Sequence, residues 1–277
     1  MKWIARVALL IVLVGCTAKN EEPHSGAHQK DTGRPQTGHA THGGDHGSTA
    51  MLMVASEPME VKAAQPATLR LMIHEASGAM VKDFDVVHEQ KVHLIIVREG
   101  LDQFAHVHPQ IDPTGNMSTV FNFPTGGNYR LYADYQPAGK GQAVATAELK
   151  VAGDAPRAPE LKPNVPGKIK GDGLNADISI DNSAANGPTR IVFSLLDSAD
   201  TAVADLQPYM GAMGHLVIIS ADGKQFVHAH PTTDKKATDG KVEFEAHIVK
   251  PGIYKAWGQF QRADTVHIVP FVMEKTI

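Results

Sequence analysis

The chain has 277 residues, and at about 100–150 residues per domain that length calls for two domains plus tails. A hydrophobic content of 42% with 20% charged residues describes a globular chain, and a net charge of -4 leaves no electrostatic footprint for nucleic acid. One Cys excludes an internal disulfide, a Cys-based zinc finger and a CxxC redox pair, whereas 15 His outnumber the 5 Tyr and 2 Trp together.

Residues 1–16 read as an export signal: Lys2 and Arg6 form a basic start, Val7 to Val14 an apolar run, and Gly15 a small residue before Cys16. The run is far shorter than the ~20 apolar residues that span a bilayer. Leu13-Val14-Gly15-Cys16 resembles the bacterial lipobox. The resemblance implies that Cys16 is lipidated and becomes the first residue of the mature protein, anchoring it to the membrane. Thr17, where an Asp would retain such a protein at the inner membrane, points to the outer membrane of a Gram-negative cell. Without Lys2 and Arg6 the chain carries 24 basic and 30 acidic residues, a net charge of -6 (from 26 - 2 against 30).

Residues 17–50 contain no aromatic residue and almost no branched aliphatic ones. Such a segment cannot bury enough surface to offset its chain entropy and is expected to be a flexible tether. It carries His24, His28, His39, His42 and His46, a tract suited to loose metal capture because a mobile chain can gather several imidazoles. Met51 and Met53 at its end either add soft thioether donors or open the first strand.

The strongest signal is an internal repeat. His93-Leu-Ile-Ile-Val leads through Phe104 to His106, His108 and Pro109, and His215-Leu-Val-Ile-Ile leads through Phe226 to His228, His230 and Pro231 with the same spacing. Tyr129-Arg-Leu-Tyr-Ala-Asp-Tyr-Gln136 parallels Tyr254-Lys-Ala-Trp-Gly-Gln-Phe-Gln261, and the offset grows from 122 to 125 residues between the two motifs. A tandem duplication follows, with module one over 51–151 and module two over 171–277. The stretch 152–170, with Pro156, Pro159, Pro163 and Pro166, reads as a semi-rigid linker.

Both modules read as β. In module one the expected strands are Ala67–Ile73, Val92–Arg98, Phe104–His108, Met117–Phe123, Asn128–Tyr135 and Val144–Val151. In module two they are Ala176–Ile180, Arg190–Leu196, His215–Ser220, Phe226–His230, Val242–Ile248, Gly252–Phe260 and Val266–Met273. Each is short, rich in β-branched and aromatic residues, and bounded by turn formers. The fold class is therefore all-β, two tandem immunoglobulin- or cupredoxin-like sandwiches. Asp222-Gly223 marks a hairpin, so His215 and His228 are expected on adjacent strands.

His228 and His230 are two apart on a strand and project from one face, a natural bidentate metal site. Met210, Met213 and His215 stand just upstream, and small residues between them allow the chain to bend toward the pair. Imidazole suits copper and zinc, and thioethers bias a site toward Cu(I). With no Cys ligand the site is not a blue-copper centre, so storage, transfer or sensing of Cu(I) fits better than electron transfer. His267 is a further candidate. In module one His93, His106 and His108 are retained, with His88 in place of Met210 and Lys91 in place of Met213. A cation there opposes a metal ion, which makes module one the weaker site.

The bland alternatives are that buried His residues only satisfy hydrogen bonds and that Met fills cores; isolated His74 and His247 are read that way. No catalytic nucleophile elbow, phosphate loop or dinucleotide motif is present, and the chain is not expected to be an enzyme. His-x-His on a sandwich is similar to copper-zinc superoxide dismutase, but the intradomain disulfide of that family is missing.

The string Gly214-His215-Leu-Val, Phe226-Val-His228-Ala-His230-Pro231, Gly252-Ile-Tyr254 and Gln259-Phe260-Gln261 resembles bacterial exported sandwich modules of the YtkA-like and FixH-like class. The resemblance covers module two well, module one in part, and the tether not at all. It implies a non-catalytic, copper-binding lipoprotein of the envelope, serving a copper-accepting envelope protein or an oxidase. The competing classes are a structural or adhesive envelope protein with scaffold His residues, and a dismutase-like redox enzyme.

Overall fold

The structure is a computed structural model, and it describes residues 42–43, 50–182, 187–233 and 239–276. The chain divides into two units, residues 1–38 and 39–277, and every described residue belongs to the second. The described residues are all strand, turn and loop, with no helix.

After β1 (His42–Gly43), module one comprises β2 (Met51–Glu57), β3 (Pro66–His74), β4 (Val92–Arg98), β5 (Phe104–Val107), β6 (Gln110–Ile111), β7 (Met117–Asn122), β8 (Gly127–Tyr135) and β9 (Ala143–Val151). Module two comprises β10 (Gly167–Lys170), β11 (Asn175–Asp181), β12 (Thr189–Leu196), β13 (His215–Ser220), β14 (Phe226–Ala229), β15 (Lys241–Ala246), β16 (Gly252–Arg262) and β17 (Thr265–Lys275). The strands expected from sequence recur within about two residues at each end. Those not among the expected strands are the short β6, β10 at the end of the Pro-rich linker, β1 inside the tether, and β2, expected only as one alternative for Met51 and Met53.

In module one β2 pairs in parallel with β9 and joins two layers into one sheet of order β5-β4-β8-β9-β2-β3-β7-β6. In module two the layers stay separate, β10-β11-β12-β15 and β1-β14-β13-β16-β17. Each module encloses its own apolar core, centred on Leu69, Leu71, Phe123 and Leu131 in the first and on Phe193, Phe244, Phe260 and Phe271 in the second.

Strands β4, β13 and β14 are buried along their whole length, so both of their faces are covered. Side chains alternate across a strand, and the two faces go to different cores. Leu94 and Ile96 enter the core of module one, Leu216 and Ile218 that of module two. Ile95, Val97, Val217 and Ile219 instead form a third cluster between the modules, with Leu101, Tyr132, Val144, Phe226 and Trp257.

This seam is reciprocal. Phe104 of module one stacks on Trp257 of module two with centroids 4.6 Å apart, and Phe226 of module two stacks on Tyr132 of module one at 4.9 Å. These are equivalent pairs at the repeat offsets of 122 and 125, so the two repeats meet as the two halves of an isologous dimer do. The Asp222-Gly223 hairpin takes part. Gly223 has φ +69, and a Cβ there would stand 2.5 Å from Arg130 Nη1. Arg130 and Tyr132 both donate to its carbonyl, at 2.8 and 2.6 Å. The linker is bound to both sides: Arg98 donates to the Pro156 carbonyl at 2.8 Å, and Asn164 N–H to that of Val272 at 3.0 Å.

Candidate metal centre

Parity places the histidines. His93 shares its face of β4 with Ile95 and Val97, and His215 shares its face of β13 with Val217 and Ile219; both therefore point into the seam. On the adjoining strands His106 follows Phe104 by two, and His228 follows Phe226 by two, with the same result. His108 and His230 lie one residue beyond β5 and β14 and continue the same face. Ligating atoms of His93, His106 and His108 lie within 4.8 Å of one another, and so do those of His215, His228 and His230. The second triad is wholly buried, and the first is buried at His93.

The two triads are one cluster. Within each, ring centroids are 4.7–5.5 Å apart. Across them, His93 and His106 stand 5.1–6.2 Å from His215 and His228. His88 comes from module one but stacks on His230 of module two at 3.4 Å.

The hydrogen bonds fix which nitrogen is free in four of the six rings. His93 Nε2 donates to the Val87 carbonyl at 3.0 Å, and His215 Nε2 to the Tyr209 carbonyl at 2.8 Å, which leaves both Nδ1 atoms as lone pairs. The two carbonyls belong to matched tight turns, Val87–Gln90 and Tyr209–Ala212, whose central residues His88, Glu89, Met210 and Gly211 all have positive φ. His228 Nδ1 donates to Asp134 Oδ2 at 2.8 Å and His106 Nδ1 to Gln259 Oε1 at 3.2 Å, leaving both Nε2 atoms free.

The free nitrogens face each other. His93 Nδ1 is 3.1 Å from His106 Nε2 and 3.2 Å from His108 Nε2, and His215 Nδ1 is 3.3 Å from His228 Nε2. His230 Nε2 is buried with no hydrogen-bond partner among the described residues. The apposed lone pairs of His93 Nδ1 and His106 Nε2, and of His215 Nδ1 and His228 Nε2, repel unless a cation lies between them. With metal–nitrogen bonds of about 2.0–2.1 Å, two ligands of a tetrahedral ion stand about 3.3–3.4 Å apart, close to the spacing of these nitrogens. The donor set therefore fits a first-row transition ion.

Burial also favours the neutral form of five of these rings, His106, His108, His215, His228 and His230, as a ligand must be neutral. Desolvation, reinforced by the other imidazoles, holds His106, His228 and His230 well below the usual histidine value. It pushes His108 down to about 4 and His215 to about 3. An unfolded chain takes up protons below its ordinary histidine pKa of about 6.5, and these buried rings do not. The stability this confers on the neutral state is complete above that value and is lost as pH falls toward 4 and 3. The metal-free protein is thus expected to lose melting temperature steadily between pH 7 and pH 4, which thermal unfolding in metal-free buffers measures.

The remaining candidates lie elsewhere. Met213 is 4% exposed and belongs to the core of module two, because the chain turns before β13 and directs it inward. Met210 lies at the inter-module turns, where Gln90 Nε2 donates to its sulfur at 3.6 Å. Lys91, expected to oppose an ion in module one, points outward and is exposed. His267 bonds the Asp172 carbonyl at 2.8 Å, His74 that of Gly78 at 3.2 Å, and His247 is exposed. Met51 and Met53 are exposed on β2. Cys16, His24, His28, His39 and His46 lie outside the described residues; His42 is described only as backbone, paired opposite His228. Sequence reasoning missed Asp134 and Gln259.

Fold and centre together define a tandem β-sandwich protein with a polyhistidine cluster at the seam between its repeats. The chain belongs to the family described as Domain of unknown function (DUF8832), which matches it twice, over residues 48–153 and 168–276. No curated protein matches it in sequence. Among solved structures it is similar to the Escherichia coli adhesin FdeC, at 15% identity and TM-score 0.27, covering 80% of this chain and 63% of that one. It is also similar to a Ca2+-stabilised adhesin of an Antarctic bacterium that binds ice, at 10% identity and TM-score 0.26, covering 82% and 48%. A putative membrane-anchored protein of Corynebacterium diphtheriae matches at 13% identity and TM-score 0.25, covering 81% and 58%. The chain thus spans less than two thirds of each of these proteins, and likenesses this distant carry nothing about function.

Proposed function

We propose that this is a lipid-anchored metal-binding protein of the bacterial envelope that holds copper, with zinc as the competing ion, in the polyhistidine cluster between its modules. The observation that carries the reading is the convergence of ring nitrogens within each triad, with the proton-bearing nitrogens of His93, His106, His215 and His228 turned away onto fixed acceptors. The thioether argument for Cu(I) weakens with Met213 in the core; an all-imidazole set accommodates Cu(II) and Zn(II) as well. The role is storage or delivery: the tether gathers ions loosely, the centre holds them, and a copper-accepting envelope protein or oxidase receives them.

Thermal unfolding with and without Cu(II) or Zn(II) tests this. A ligand at a hundred times its Kd adds about 2.7 kcal/mol of stability, so the midpoint is expected to rise clearly with metal and return with chelator. A midpoint indifferent to both ions would leave the structural or adhesive reading, which requires only the tandem sandwich.

A further inference from the structure

The two triads are built alike and backed differently. β8 and β16 are repeats of each other, and the residue paired with the first His of each triad is Asp134 opposite His93 and Gln259 opposite His215. Each of these side chains crosses the seam to the other module's triad. Asp134 Oδ2 accepts from His228 Nδ1, and Gln259 Oε1 accepts from His106 Nδ1. The Asp134 carboxylate is itself buried and held, its Oδ1 accepting from Gln142 Nε2 at 2.6 Å. The matching positions thus differ by one negative charge.

A carboxylate behind a ligating imidazole fixes the ring, raises its basicity and offsets part of the charge of a bound cation; a neutral amide only fixes the ring. Rings of opposite triads are nearly as close as rings of the same triad, at 5.1–6.2 Å against 4.7–5.5 Å. A second dication therefore enters the field of the first, in a seam where water screens little.

We infer that the cluster is a two-ion centre that fills in a fixed order, the triad His215, His228 and His230 first and the triad His93, His106 and His108 second, with Asp134 and Gln259 as the positioning residues that set the order. This rests on the metal-binding reading. It makes the protein a carrier of one firmly held and one readily released ion.

The test is a Cu(II) titration of the mature full-length chain against a chelator strong enough to strip the tether, followed by electron paramagnetic resonance. The wild type is expected to bind in two steps at least about tenfold apart, the first an isolated Cu(II) resonance that broadens as the second ion enters. Asp134→Asn is expected to weaken the first step by about 10–100-fold, the usual effect of losing an outer-shell partner. Gln259→Glu is expected to strengthen the second by a similar factor. His230→Ala removes the first step and His108→Ala the second. Two equal steps, one ion lost equally in both His variants, or an Asp134→Asn protein with unchanged affinity would overturn the order while leaving metal binding intact. A single step would overturn the two-ion inference alone, and no step at all in the wild type would overturn the metal-binding reading and this inference with it.

Discussion

Alanine at both His228 and His230 is expected to abolish tight metal binding by the second triad. Loss of a single outer-shell partner typically costs 10–100-fold, so removal of two of three donors is expected to cost more than about a hundredfold, as read by competition with a chelator. The free nitrogens of His215 and His228 stand 3.3 Å apart, and His230 Nε2 is buried without a partner among the described residues; in the variant His215 Nδ1 is left alone. The metal-free variant separates two explanations. Scaffold imidazoles would make it lose melting temperature with no change in its response to copper or zinc. Ligand imidazoles make the metal-induced rise in midpoint shrink to what the triad His93, His106 and His108 alone supplies.

The second large effect belongs to the seam. Trp257→Ala deletes the ring that stacks on Phe104 and opens a cavity among Ile95, Val97, Val217 and Ile219. Buried Trp or Phe to Ala changes cost about 3–5 kcal/mol, which denaturant unfolding resolves. The change lies outside both triads, yet it is expected to weaken metal binding at each. His106 is oriented by Gln259 and His228 by Asp134, and both contacts cross the seam. Were the modules independent binders, the variant would lose stability and keep its affinities.

Much of this was legible in the chain. Short β-branched runs bounded by Gly, Pro and Asp located most strands to within about two residues, and the repeated His spacing gave the duplication. The partner of those histidines was not legible, because it is another module and not another ligand in the same one. A signal existed: the unbroken apolar runs after His93 and His215 lack the alternation of a strand with one wet face. Strands buried on both sides need a second cover, and each module supplies it to the other. Lys91 was read as opposing a metal because it aligns with Met213; in space it points to solvent.

Asp134 and Gln259 were missed for a related reason. Both sit in the repeated Tyr motif, flanked by inward-facing apolar residues, and a polar residue at a buried position of that kind calls for a partner. The partner is in the other repeat, 94 positions away for Asp134 and 153 for Gln259. Nor could spacing reveal that His88 leaves its own module to stack on His230.

The most direct test of the central claim is anomalous diffraction at the copper edge from crystals of the metal-loaded protein. The account predicts density between the modules, with copper about 2.0–2.1 Å from the nitrogens of His215, His228 and His230, the ion at the other triad being the weaker of two. Copper found only on the tether or at the exposed methionines of β2, with the six imidazoles unliganded, would contradict it.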